Sequence, residues 1–189
     1  MEKKIIAKYL KPIWTQSYNY GNGIVIGNKL LTAAHVLKDS DCFYIGNQKY
    51  NLDDAIVNQC DTKRTDGLYY DFAAFETQEY NHDLELAIDL PLIGDELTSY
   101  SYKHQVTKVG GSGVFAQIKE TNELHISKAI VHDIIGNFII CEMSEPLEEG
   151  RSGSPIIKDG KVYGILHGGH AGNPCVFLSS VTINQSFSR

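Results

Sequence analysis

The stretch Glu149-Gly150-Arg151-Ser152-Gly153-Ser154-Pro155-Ile156 sets a serine between two glycines, just ahead of Ser-Pro and an apolar run. Gly-x-Ser-Gly-x-Pro is the form of a nucleophile loop whose backbone also binds an oxyanion. A glycine at 150 lets its own N–H face the hollow faced by the N–H of Ser152, and two such donors stabilise a tetrahedral intermediate. Gly153 removes bulk beside the attacking hydroxyl. The loop points to acyl transfer with Ser152 as nucleophile, but a serine hydroxyl is a poor nucleophile at neutral pH without a base and an orienting acid. Alone, the same segment reads as a loop rich in small residues.

A base and an acid occur upstream. Leu30-Leu31-Thr32-Ala33-Ala34-His35-Val36-Leu37 places a histidine after a short apolar run and two alanines, where a strand gives way to a tight turn. His35 is the candidate general base; its bland reading is a satisfied core histidine. Tyr70-Asp71-Phe72-Ala73-Ala74-Phe75 sets an acid at the head of an apolar strand, where a carboxylate can lie beneath an imidazole. Asp71 is the candidate orienter. Asp61 and Asp66 compete for that role, but they sit in the polar run from Cys60 to Gly67, which reads as a solvated loop. His82, His104, His125 and His132 lack such a context and read as surface or edge-strand residues.

Leu-Thr-Ala-Ala-His, Asp-Phe-Ala-Ala-Phe and Gly-Arg-Ser-Gly-Ser-Pro follow one another in an order that resembles the trypsin-like (chymotrypsin-fold) serine proteases across nearly the whole chain. Weaker matches are Tyr20-Gly21-Asn22-Gly23-Ile24-Val25-Ile26 before the histidine strand and Val162-Tyr163-Gly164-Ile165-Leu166-His167-Gly168-Gly169 after the nucleophile. The resemblance implies an all-β fold of two packed antiparallel six-stranded β-barrels with the active site in the cleft between them. The first barrel would carry His35 and Asp71, the second Ser152. It further implies an oxyanion hole at the N–H groups of Gly150 and Ser152, and a polypeptide substrate cut through an acyl-enzyme without metal or organic cofactor. Two alternatives use the same residues: a catalytically silent domain that binds extended peptides, and an esterase or other acyl transferase.

Composition narrows the rest. At 189 residues and 42% hydrophobic content the chain builds a real core, which excludes disordered and fibrous classes. A net charge of −6 leaves no basic field for phosphates, so no nucleic-acid partner is expected. The opening Met1-Glu2-Lys3-Lys4 is charged at once and no window has the length of a membrane span, so the expectation is a cytoplasmic chain, from a bacterium or a virus-infected cell, with no membrane partner. Cys42, Cys60, Cys141 and Cys175 lack the close pairs of a zinc or redox site and read as free thiols. Oligomeric state is not legible.

Short apolar runs broken by Gly, Asn and Asp give the rhythm of many strands. In the first half they are Ile5 to Leu10, Gly23 to Ile26, Lys29 to Thr32, Cys42 to Ile45, Ala55 to Val57 and Asp71 to Phe75. The second half adds Glu96 to Tyr102, Gln105 to Val109, Val114 to Ile118, His125 to Ile130, Phe138 to Cys141, Ser154 to Ile157, Lys161 to Leu166 and Cys175 to Ser179. Gly27-Asn28, Gly46-Asn47 and Asp159-Gly160 read as hairpin turns. The connector Leu90-Pro91-Leu92-Ile93-Gly94-Asp95 divides the chain into residues 1–90, the barrel of the base and acid, and 91–189, the barrel of the nucleophile.

Substrate-binding candidates are His167, Gly168, Gly169 and His170. In glutamyl endopeptidases and several viral relatives a pocket histidine follows Gly-Ile directly. Here Leu166 intervenes, and one residue on a strand reverses the face unless a bulge restores it. A polar or acidic P1 residue leads; Glu145, Glu148 and Glu149 favour a basic one, and an uncharged one stays open. Arg151 departs from the family's best-known version, which carries an aspartate there to pair with a newly cut N-terminus, so no activation of that kind is expected. Arg151 pairs with Glu148, Glu149 or another carboxylate, or is solvated.

Overall fold

The computed structural model describes residues 1–60, 70–109, 115–167 and 174–188. After a short helix α1 (Glu2–Tyr9), the chain forms β1 (Leu10–Thr15), β2 (Tyr20–Thr32), β3 (Cys42–Ile45), β4 (Gln48–Asn51), β5 (Ala55–Cys60) and β6 (Asp71–Asn81). These make one sheet in the order β4-β3-β1-β2-β6-β5. The second sheet takes β7 (Glu85–Leu86), β8 (Glu96–Val109), β9 (Phe115–Ile135), β10 (Phe138–Met143), β11 (Pro155–Lys158), β12 (Lys161–Leu166) and β13 (Cys175–Ser179), and α2 (Ser180–Phe187) follows. The order β11-β8-β9-β10-β13-β12 is closed by pairing of β11 with β12, giving a six-stranded barrel to which β7 adds in parallel at β12.

The first sheet differs from the second: among the described pairings it stays open between β4 and β5, a half-barrel rather than a closed ring. Its length goes into β2 instead. Residues 20–24 of that strand pair with β1, and residues 27–32 pair with β6. The expected turn at Gly27-Asn28 is a bulge within this one strand, where Gly27 takes φ +56° and lets the chain change partners without stopping. Gly46-Asn47 and Asp159-Gly160 do close two-residue hairpins, with both Asp159 and Gly160 at positive φ.

Of residues Ile5 to Leu10, expected as a strand, Ile5 to Tyr9 belong to α1 and Leu10 opens β1. Glu-Lys-Lys-Ile-Ile-Ala-Lys-Tyr is made largely of residues that favour a helix, Glu2 stands at the positive end and Lys8 at the negative end, and Ile6 and Tyr9 bury one face at helical spacing. The unpredicted α2 starts at Ser179, whose hydroxyl accepts from the Thr182 N–H at 3.3 Å.

Two apolar cores result. One lies inside the closed barrel, among Leu97, Val131, Ile139, Met143, Leu166 and Phe177. The other runs from the first sheet, through Phe43, Phe72 and Phe75, to the outer face of the barrel at Ile157, Ile165 and Leu178. That shared core fixes how the sheets meet. Fully burying one such side chain contributes about 1.5–3 kcal/mol, so the junction is held by packing before any polar contact is counted. No helix of the described residues is long and apolar enough to cross a membrane.

Candidate functional site

His35 rides on a 3₁₀ turn, Ala34–Leu37, directly after β2. Ala33 and Ala34 are buried, and Val36 and Leu37 pin the turn to the first core, so the imidazole is presented at the sheet edge. Asp71 opens β6 beside it and is 1% exposed. Its Oδ1 accepts the His35 backbone N–H at 2.7 Å, and its Oδ2 is hydrogen bonded to His35 Nδ1. Both carboxylate oxygens are therefore occupied by one residue, which offsets the cost of burying the charge. From the other sheet, Ser152 Oγ lies 2.9 Å from His35 Nε2.

The loop that carries Ser152 is shaped by contacts with the first sheet. Gly150 and Gly153 have φ of +89° and +86°, which favour glycine. A Cβ at Gly153 would come within 1.9 Å of the Asn22 carbonyl oxygen, and one at Gly150 within 2.3 Å of the Tyr20 ring. Backbone bonds run from Asn22 N–H to Ser152 O (2.8 Å) and from Gly153 N–H to Leu166 O (3.0 Å). Among the described residues, neither the Gly150 nor the Ser152 N–H donates to an acceptor.

Asn22 is the residue that sequence reasoning passed over. Fully buried, it donates from Nδ2 to Gly150 O (3.0 Å) and Tyr102 O (3.3 Å) and accepts the Tyr102 N–H at Oδ1 (2.7 Å). It thereby ties β2, β8 and the serine loop together. Its one signal was an amide placed between glycines in Tyr20-Gly21-Asn22-Gly23.

Arg151 is not solvated. Only 3% of its side chain is exposed, and Glu148 Oε2 lies 3.6 Å from its Nη2. Burial pulls its pKa below the ordinary arginine value, opposed by Glu148, Glu123 and Tyr20. His104 is not a surface residue either: Nε2 lies 2.8 Å from Gly21 O, its ring is 5.1 Å from that of Tyr20, and burial, with Arg151 nearby, lowers its pKa. His125 is also largely buried, with Nε2 2.9 Å from Glu145.

His167 lies away from the barrel interior. In the β12–β13 register Ile165 faces Leu178 and Leu166 faces Phe177, without a bulge, and the His167 N–H continues the ladder to Val176 O at 2.9 Å. Leu166 therefore points into the barrel core, while His167, 3% exposed, packs edge-on to Phe138 at 5.4 Å on the opposite face. Asp61, Asp66, Gly168, Gly169 and His170 lie outside the described residues.

No family model matches the chain, and no curated protein does. Solved structures do. Neuropsin, a serine protease of mouse brain, superposes with a TM-score of 0.68 at 18% identity, over 95% of this chain and 92% of that one. A scabies mite inactivated protease paralogue gives 0.69 at 11% identity, over 97% and 92%. The inactive form of a mutant Rv3671c from M. tuberculosis gives 0.63 at 17% identity, over 98% and 87%. The fold is that of chymotrypsin, shared here by a serine protease and by an inactivated paralogue.

Proposed function

We propose that this chain, which has the fold of the trypsin-like serine proteases, is a serine endopeptidase. In this reading His35 takes the Ser152 proton as Oγ attacks a peptide carbonyl, then returns it to the departing amine. Asp71 keeps the Nδ1 proton in place and stabilises the imidazolium. The vacant N–H groups of Gly150 and Ser152 receive the oxyanion. The observation that carries the reading is the line of hydrogen bonds Asp71–His35–Ser152, which crosses from one sheet to the other and whose Nε2 to Oγ distance of 2.9 Å is within general-base reach. The substrate would be a polypeptide, with Leu166 rather than His167 turned toward the barrel interior. The test is labelling by a fluorophosphonate probe: Ser152-dependent labelling of the folded protein is expected, and its absence overturns the proposal.

A second reading is a silent peptide-binding domain, favoured by the inactivated paralogue of the same fold. It predicts that Ser152→Ala retains every biological activity of the chain along with peptide binding.

A further inference from the structure

Ser152 sits between two peptide planes that are held in different ways. The plane that follows it is fixed at both ends: Ser152 O accepts the Asn22 N–H at 2.8 Å, and the Gly153 N–H donates to Leu166 O at 3.0 Å. The plane that precedes it is fixed at one end. Its oxygen, Arg151 O, accepts the Ser154 N–H at 3.0 Å and also the Ser154 hydroxyl. Its other end is the Ser152 N–H, which meets no acceptor among the described residues. A trans peptide is planar, with its N–H and C=O pointing in opposite directions, so the groups that hold Arg151 O also aim the Ser152 N–H.

Ser154 is itself anchored. It is fully buried, and its own carbonyl accepts the Leu166 N–H at 2.7 Å, which ties it to β12. The backbone bond closes the tight turn from Arg151 to Ser154, in which Gly153 supplies the positive φ of +86°. Any residue except proline at 154 would make that bond, whereas the second bond needs a hydroxyl. By filling the other lone pair of Arg151 O, the hydroxyl keeps the plane from rocking about the first bond. Two donors on one oxygen also polarise the peptide and make its N–H a stronger donor.

We propose that Ser154 is a positioning residue for acyl transfer, whose hydroxyl aims and strengthens the Ser152 N–H as an oxyanion donor. The assignment rests on the protease reading, and Ser154 acts through the Arg151–Ser152 peptide rather than on a reacting atom. A purely structural serine would only satisfy its own buried hydroxyl, and its loss would change stability while leaving the chemistry alone.

The experiment compares folded Ser154→Ala with the unmodified protein, using fluorophosphonate labelling and the acylation burst with p-nitrophenyl acetate. Both probes place an oxygen in the oxyanion hole as they react, and neither requires the preferred peptide. Deleting an oxyanion donor outright costs about 10²–10³ in rate; a donor that stays but is loosely aimed should cost about tenfold with either probe. The loss should lie in the rate at saturating probe, with the half-saturating concentration unchanged. The midpoint of the pH–rate profile should also stay where it is, because the base is untouched. If Ser154→Ala fails to fold, Ser154→Cys, close in size and with a weak S–H donor, should show a smaller loss at the same midpoint. Unchanged rates in the folded variant, or a displaced midpoint, overturn the assignment while the protease reading stands. Absence of Ser152-dependent labelling in the unmodified protein overturns the protease reading and the assignment with it.

Discussion

Asp71, at the head of β6, and Arg151, in the serine loop, are both buried charges, at 1% and 3% exposure, yet Asp71 has a donor on each oxygen while among the described residues Arg151 has two nitrogens without an acceptor. The difference separates a charge held by its own neighbours from one that its neighbours leave unmet. The first kind fixes geometry at once; the second leaves the cost of burying the charge without compensation.

The strongest way to break this contrast is at the satisfied side. On the protease reading, Asp71→Asn should lower the rate of peptide cleavage by about 10⁴-fold, because the amide favours the wrong imidazole tautomer; steady-state kinetics on a peptide substrate check this, and a loss below tenfold would remove Asp71 from the mechanism. Next comes the loop itself. Gly153→Ala forces a Cβ into the Asn22 carbonyl and strains a positive φ, and should cost about 3–5 kcal/mol in urea unfolding. Asn22→Ala strips partners from Tyr102 and Gly150 and should cost about 2–4 kcal/mol, with labelling of Ser152 slowed in the protein that remains folded.

The unmet side should respond with the opposite sign. Arg151→Met removes a buried charge that lacks acceptors among the described residues, and it should stabilise the fold by about 1–2 kcal/mol in urea unfolding. A loss of stability would mean that the Arg151 charge has a partner after all. The smallest effect is His104. Its pKa is lowered in the folded state, so below the ordinary histidine value of about 6.5 the unfolded chain binds the extra proton and stability falls as pH falls. Urea midpoints should therefore decline from pH 7.5 toward 5.5 in chloride buffer, and His104→Gln should flatten that decline.

On the protease reading, the candidate residues that stand out in the sequence are those marked by their immediate neighbours. Ser152 announces itself through flanking glycines, His35 through two small residues and a strand end, Asp71 through the apolar run it heads. The parity of a strand also held: Leu166 faces in and His167 out, as one intervening residue requires. Asn22 was not legible, because its meaning lies in three segments distant in sequence. Gly27 misled for a related reason, since a positive φ serves a bulge as well as a turn. Ile5 to Leu10 misled because two adjacent isoleucines fit either period, and the packing of Ile6 and Tyr9 chose the helix. Burial of Arg151 runs against its residue type, and only tertiary packing reveals it.

The Asn22 crosslink gives the molecule a local clock. Its amide N–H is held by Ser152 O, on the far side of the sheet junction, so hydrogen exchange at this one amide times the parting of the two sheets. Exchange faster there than at the interior of β2 would mean that the junction opens while each sheet stays intact, and that Ser152 stays within hydrogen-bond reach of His35 only for the fraction of time in which the halves are closed.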